Sequence, residues 1–159
     1  MCSIYKDSKR LLFVSFLNMN IEKQTNNGDE INTYIDQCNS NLTHYDISII
    51  VHKVFKNVYR YIGDKNWEYF DLTENTWKLD NKCQKLRNDI TTIVSDLFVA
   101  RSIYWHNESE KLLDVNAEIL AKRLSQKMLN ASFKLKNNSF ISVVIKEAQS
   151  FFDFQNNES

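Results

Sequence analysis

Between Ile47 and Leu79 the apolar residues change their period once, and that change limits what the chain can fold into. Ile47, Ile50, Val51, Val54, Phe55, Val58 and Ile62 recur at steps of three and four, the spacing that gathers side chains on one face of an amphipathic helix. Thr43-His44-Tyr45-Asp46 stands ahead of them with the form of a capping box. Its hydroxyl can accept from a free helix N–H while its carboxylate reaches back to the cap. Gly63 is then placed to end the helix, because a left-handed backbone costs glycine little. Beyond it the period falls to two. Trp67 and Tyr69, then Trp77 and Leu79, flank the polar Thr73-Glu74-Asn75 as two short strands of a hairpin. A lone hairpin is marginal in water, so its apolar side is expected to pack on neighbouring helices.

Helical spacing resumes near Asn81, with Leu86, Ile90, Ile93, Val94 and Leu97 on one side. A third helix carries Leu113, Ala117, Leu120, Leu124, Met128 and Ala131 in register, and Ser139 caps a fourth whose stripe is Phe140, Val143, Val144, Ala148 and Phe151. The fold class that follows is mainly α (α+β): about four helices, with one β-hairpin between the first and the second. Ile21 to Asn41 is polar with weak periodicity, so residues 1–41 are expected to form an arm or linker and residues 42–159 the folded domain. No internal repeat or long heptad seam is visible.

The chain has 159 residues, enough for one domain with a core. Its 20 basic and 20 acidic side chains cancel, which argues against a protein whose whole surface grips a polyanion while leaving room for a local basic face. With no proline and only two glycines, its turns must be built largely from Asn and Asp. Cys2, Cys38 and Cys83 are odd in number and widely spaced, which favours free thiols in a reducing compartment and an intracellular protein. Leu11 to Leu17 imitates the apolar run of a signal peptide, but no small-residue cleavage site follows, and the run is too short to span a bilayer. Met19 is an alternative translation start.

Familiar catalytic patterns are missing from the sequence. Gly28 and Gly63 stand alone, so there is no clustered-glycine loop to cradle a phosphate. His44, His52 and His106 are scattered relative to Cys38 and Cys83, without the short spacing of a structural zinc site. Cys83 lies near a helix start but has no histidine partner in sequence, and Glu108 and Glu110 read as a solvated loop. The expectation is a protein that is not an enzyme and uses no cofactor and no metal. The strongest positive signal is electrostatic: Lys122, Arg123, Lys127, Lys134 and Lys136 crowd one region, interleaved with Phe133, and are candidate contacts to nucleic-acid phosphates. A solvated helix face is the competing explanation.

The segment WEYFDLTENTW, from Trp67 to Trp77, suits a base-stacking platform, a sugar-binding face, or the apolar side of a packed hairpin. Together with its surroundings it resembles the domain that precedes the superfamily-three helicase in primase-helicases of large DNA viruses, poxvirus-type nucleoside triphosphatases and phage relatives. The resemblance rests on His44 to Ile47 with Asp46 among them, on Trp67, Tyr69 and Phe70, on Trp77, and on Leu86 and Arg87. KLKNNSFISVVIKEAQSFF resembles that family's closing helix. It implies a noncatalytic helper domain that docks on a replicative helicase or primase and contacts DNA, acting inside the cell, in host cytoplasm or nucleus if the source is viral. It also implies oligomers formed only through the helicase assembly, an ATPase on a downstream domain, and a domain truncated at its C-terminus. The signature residues are expected to be structural. The alternative is an autonomous small helical interaction protein with no replication role.

Overall fold

A computed structural model describes residues 25–38 and 42–153; the leader-like run and the Met19 start therefore lie outside the described residues. The chain divides into two compact units, residues 1–35 and residues 36–159. Of the first, the described part is most of helix α1, Thr25–Gln37. The polarity of this stretch suggests an arm, but Ile31 and Ile35 stand one turn apart and give it an apolar face.

The second unit is mainly α with a small antiparallel sheet. It runs α2 (His44–Phe55), β1 (Tyr59–Tyr61), β2 (Trp67–Asp71), β3 (Thr76–Asp80), a 3-10 turn (Asn81–Cys83), α3 (Gln84–Asp89), a π-helical segment (Ile90–Val94), α4 (Ser95–Ser109), α5 (Val115–Lys134) and α6 (Asn138–Phe152). The capping box is present: Asp46 N–H donates to Thr43 Oγ1 at 3.2 Å, and Thr43 N–H to Asp46 Oδ2 at 2.9 Å. Helix α2 stops at Phe55, earlier than the apolar spacing suggests. Val58 N–H turns back to the Phe55 carbonyl at 2.8 Å, and the chain enters β1. The expected hairpin is therefore a three-stranded sheet in the order β1-β2-β3. Gly63, with φ of 88°, serves the β1–β2 turn beside Asp64 and Lys65, which are also left-handed. It does not cap a helix.

Tyr59 pairs with Tyr69, and Trp67 with both Tyr61 and Asp80, so Tyr59 and Trp67 share the sheet face turned to the core. Both are buried, as are Ile50, Val51 and Phe55 of α2, Leu86 of α3 and Val144 and Ala148 of α6. Helix α6 packs on α2, and its stripe is Ile141, Val144, Ile145, Ala148 and Phe152. Val144 and Ala148 face inward as expected, while Ile141, Ile145 and Phe152 are buried in place of the neighbouring Phe140, Val143 and Phe151. Asn137, whose Oδ1 accepts from Ser139 and Phe140, caps this helix in place of Ser139 and so starts it earlier.

Helices α4 and α5 form an antiparallel pair along a seam of serines. Ser102 Oγ donates to the Ser125 carbonyl at 2.8 Å, Ser125 Oγ returns to the Ser102 carbonyl at 2.9 Å, and Ser95 Oγ reaches the Ser132 carbonyl at 3.4 Å. Residues this small let two helix backbones approach closely. Within the second unit, Asp36 Oδ1 accepts from Arg101 Nε at 2.9 Å and from Trp105 Nε1 at 2.8 Å, which ties Asp36 to α4. No helix among the described residues is long and apolar enough to cross a membrane.

Candidate nucleic-acid interface

The five cations singled out in sequence do not converge. Lys122 and Lys134 lie twelve residues apart on α5, a rise of about 18 Å, and Lys136 follows in the turn to α6. Lys122 pairs with Glu118 one turn earlier, while Arg123 is exposed. Lys127 is half-buried and donates its Nζ to the Cys38 carbonyl; burial lowers its pKa below the ordinary lysine value. Lys134 and the exposed Phe133 instead border a mostly apolar cleft of about 550 Å³ with His44 and Phe140, whose rings lie 4.3 Å apart.

The signature residues divide between core and surface. Trp67 and Leu86 are fully buried, and the Trp67 ring meets Tyr61 at 5.4 Å and Phe152 at 5.2 Å, which anchors the sheet to α6. Trp77 lies on the opposite sheet face, half-buried. Phe70 is 5.3 Å from it edge-on, and the Arg60 guanidinium sits 4.3 Å over its ring while also bonding Glu68 across the strands. The aromatic pair is thus partly covered by the sheet's own ion pair. These Trp77 contacts lie within the sheet, whereas the hairpin's apolar side was expected to pack on neighbouring helices.

Three cations missed as a group, Lys82, Lys85 and Arg87, do gather where β3 meets α3, around a groove of about 770 Å³. The backbone there is unusual: Lys82 and Cys83 both have φ of 56°. This left-handed pair folds the chain back over Asp80, whose buried carboxylate accepts from the N–H of Lys85 and of Leu86, each at 2.9 Å. The first free amides of α3 are therefore already satisfied from within. Lys85 Nζ lies 3.1 Å from Asp89 Oδ2 and 5.3 Å from the Tyr69 ring centroid. Tyr59 donates its hydroxyl to the same Asp89 oxygen at 2.5 Å. Burial, reinforced by the carboxylates of Asp89 and Asp80, pushes the Tyr59 phenol far above its ordinary value, so it remains a donor. Arg87 Nη1 donates to Ser142 Oγ of α6 at 3.0 Å.

Chemically, the groove offers fixed positive charge beside one aromatic wall, Tyr69, and the amides of Asn81, Asn88 and Asn138. It can hold an anion and hydrogen-bond both donors and acceptors. Cys83 beside it is no activated nucleophile: burial, then the Asp80 charge, raises its pKa. Among the described residues no group of three or more His, Cys, Asp or Glu side chains is disposed to hold a metal ion. The sequence signal for the groove is NKCQKLRN, three cations within six residues, whose left-handed turn has no glycine to mark it. Comparison with protein-family models finds no match, and comparison with curated proteins finds none either.

Proposed function

We propose that this chain is a noncatalytic accessory module of a viral or phage-type DNA replication primase-helicase, docking on the helicase or the primase and contacting DNA. The observation that carries the reading is the division of labour among the residues of the resemblance. Trp67 and Leu86 fix the sheet to the helices from inside. Tyr69 and Arg87 border the groove that Lys82 and Lys85 make basic. A signature split between scaffold and a polar rim suits a module that is carried by a partner and presents a surface, because its stable part is independent of any reacting group.

The test is co-purification. The full chain, tagged and expressed beside the helicase and primase of its own genome, should retain one of them through a wash at physiological salt. Retention of neither would remove the replication reading and leave a self-standing interaction protein.

A further inference from the structure

We infer that the groove between β3 and α3 is a binding site for single-stranded DNA, gripped through its phosphates by Lys82, Lys85 and Arg87. The inference rests on the replication reading for the choice of DNA, and on the following geometry for the site.

Charge comes first. The groove brings three cations together against Asp80, the one carboxylate among the residues lining it. Asp80 is buried and both its oxygens are engaged by the Lys85 and Leu86 amides, so its charge serves the backbone. Set against Asp80 and the Asp89 that pairs with Lys85, the three cations still leave net positive charge at the groove, and the complementary occupant is an anion.

Preorganisation is the second support. Lys85 is held between the Tyr59 and Tyr69 rings, 5.9 and 5.3 Å from its Nζ, with Asp89 as its fixed counter-charge. Arg87 is steadied by Ser142. Less side-chain entropy is then lost when a ligand arrives than at a free lysine. Lys82 is exposed and stands at the tip of the left-handed turn.

The lining separates DNA from an acidic peptide. A peptide carboxylate needs only the cations. Asn81, Asn88 and Asn138 add amides that pair with base edges, and Tyr69 adds a flat apolar wall at which a base or sugar can rest. Bases must be unpaired to present those edges inside a groove, which favours the single strand.

Lys82→Gly gives a clean test, because it removes a charge at a φ of 56°, where glycine is at ease and lysine is strained. Fluorescence anisotropy with a labelled twenty-residue oligothymidylate should show binding by the full chain. Its log–log salt slope should be about −2, as three phosphate contacts to a single strand require. Lys82→Gly should weaken binding roughly tenfold and flatten the slope by about 0.7, while its melting temperature stays at or above the parent's. Lys85→Gln should weaken binding similarly. Lys122→Ala and Arg123→Ala should leave it unchanged.

The site is overturned if the parent fails to bind the oligonucleotide in low salt. It is equally overturned if the α5 substitutions weaken binding and Lys82→Gly does not, or if polyglutamate binds as tightly with the same sensitivity to Lys82. Helicase and primase retention, measured on the same preparations, separates the two readings. Retention without DNA binding sinks only the groove, and DNA binding without retention sinks only the accessory role.

Discussion

Truncating Trp67 to alanine should unfold the joint between sheet and helices, and the structure sets the size of the effect. The side chain is fully buried, with ring contacts to Tyr61 and Phe152. Removing so large a buried ring costs about 3 to 5 kcal/mol, part of it lost transfer energy and part the cavity left behind. At about 4 °C per kcal/mol for a chain of this size, the melting temperature should fall by roughly 10 to 20 °C. No acceptor among the described residues meets the buried indole N–H. A desolvated, unpaired donor itself costs about 1 to 3 kcal/mol, so Trp67→Phe, which deletes it and keeps a ring, should cost much less than Trp67→Ala. Trp77→Ala supplies the contrast. It forfeits a cation–π contact with Arg60 and an edge contact with Phe70, together about 1 to 2.5 kcal/mol. Differential scanning fluorimetry with circular dichroism reads all three variants. A Trp67→Ala protein melting within about 2 °C of the parent, or a larger loss at Trp77 than at Trp67, would refute the assignment of Trp67 to the core.

Further consequences follow from the seam, the buried tyrosine and the histidine of α2. Ser102→Ala should cost about 1 kcal/mol for the lost hydrogen bond, whereas Ser102→Leu should cost about 1 to 3 kcal/mol more by forcing α4 and α5 apart; equal urea midpoints for the two would contradict close packing. Tyr59→Phe should destabilise by about 2 kcal/mol, because it strips a donor from the buried Asp89 carboxylate, and an unchanged urea midpoint would show that bond to be idle. His52, packed edge-on to Phe152 at 4.9 Å, has its pKa lowered from 6.5 by burial and then by Lys56 and Lys53. The unfolded chain therefore takes up this proton first as pH falls, so the contribution is intact above about 6.5 and is lost between there and the folded value. Urea midpoints should drop between pH 7 and pH 5 in the parent and drop less in His52→Phe; identical slopes would exclude His52 as the cause.

What was legible in the sequence was what periodicity and capping chemistry encode locally. Thr43 and Asp46 announced the start of α2, and Ile47, Ile50, Val51 and Phe55 marked its buried face. The end of that helix was hidden because Val58 and Ile62 happen to continue its spacing, and the break at Phe55 carries no glycine or proline. Three residues of alternation in β1 are too few to register as a strand, so the sheet looked like a hairpin. In α6 apolar residues stand side by side at Phe140-Ile141 and Val143-Val144-Ile145, and only packing against α2 selects which of them turns inward. The serine seam and the groove were silent for a different reason. Both are made by polar residues brought together over long sequence separations, as with Ser102 and Ser125 or Arg87 and Ser142, and no local pattern encodes such pairs.

Association with a replication motor is what the proposed function requires. Isothermal titration of the purified full chain into the purified helicase of the same genome, and separately into its primase, measures it directly. A saturable, stoichiometric heat with one of them, preserved in Lys82→Gly, is the expected result. Flat titrations with both, from a chain shown to be folded, would contradict the account.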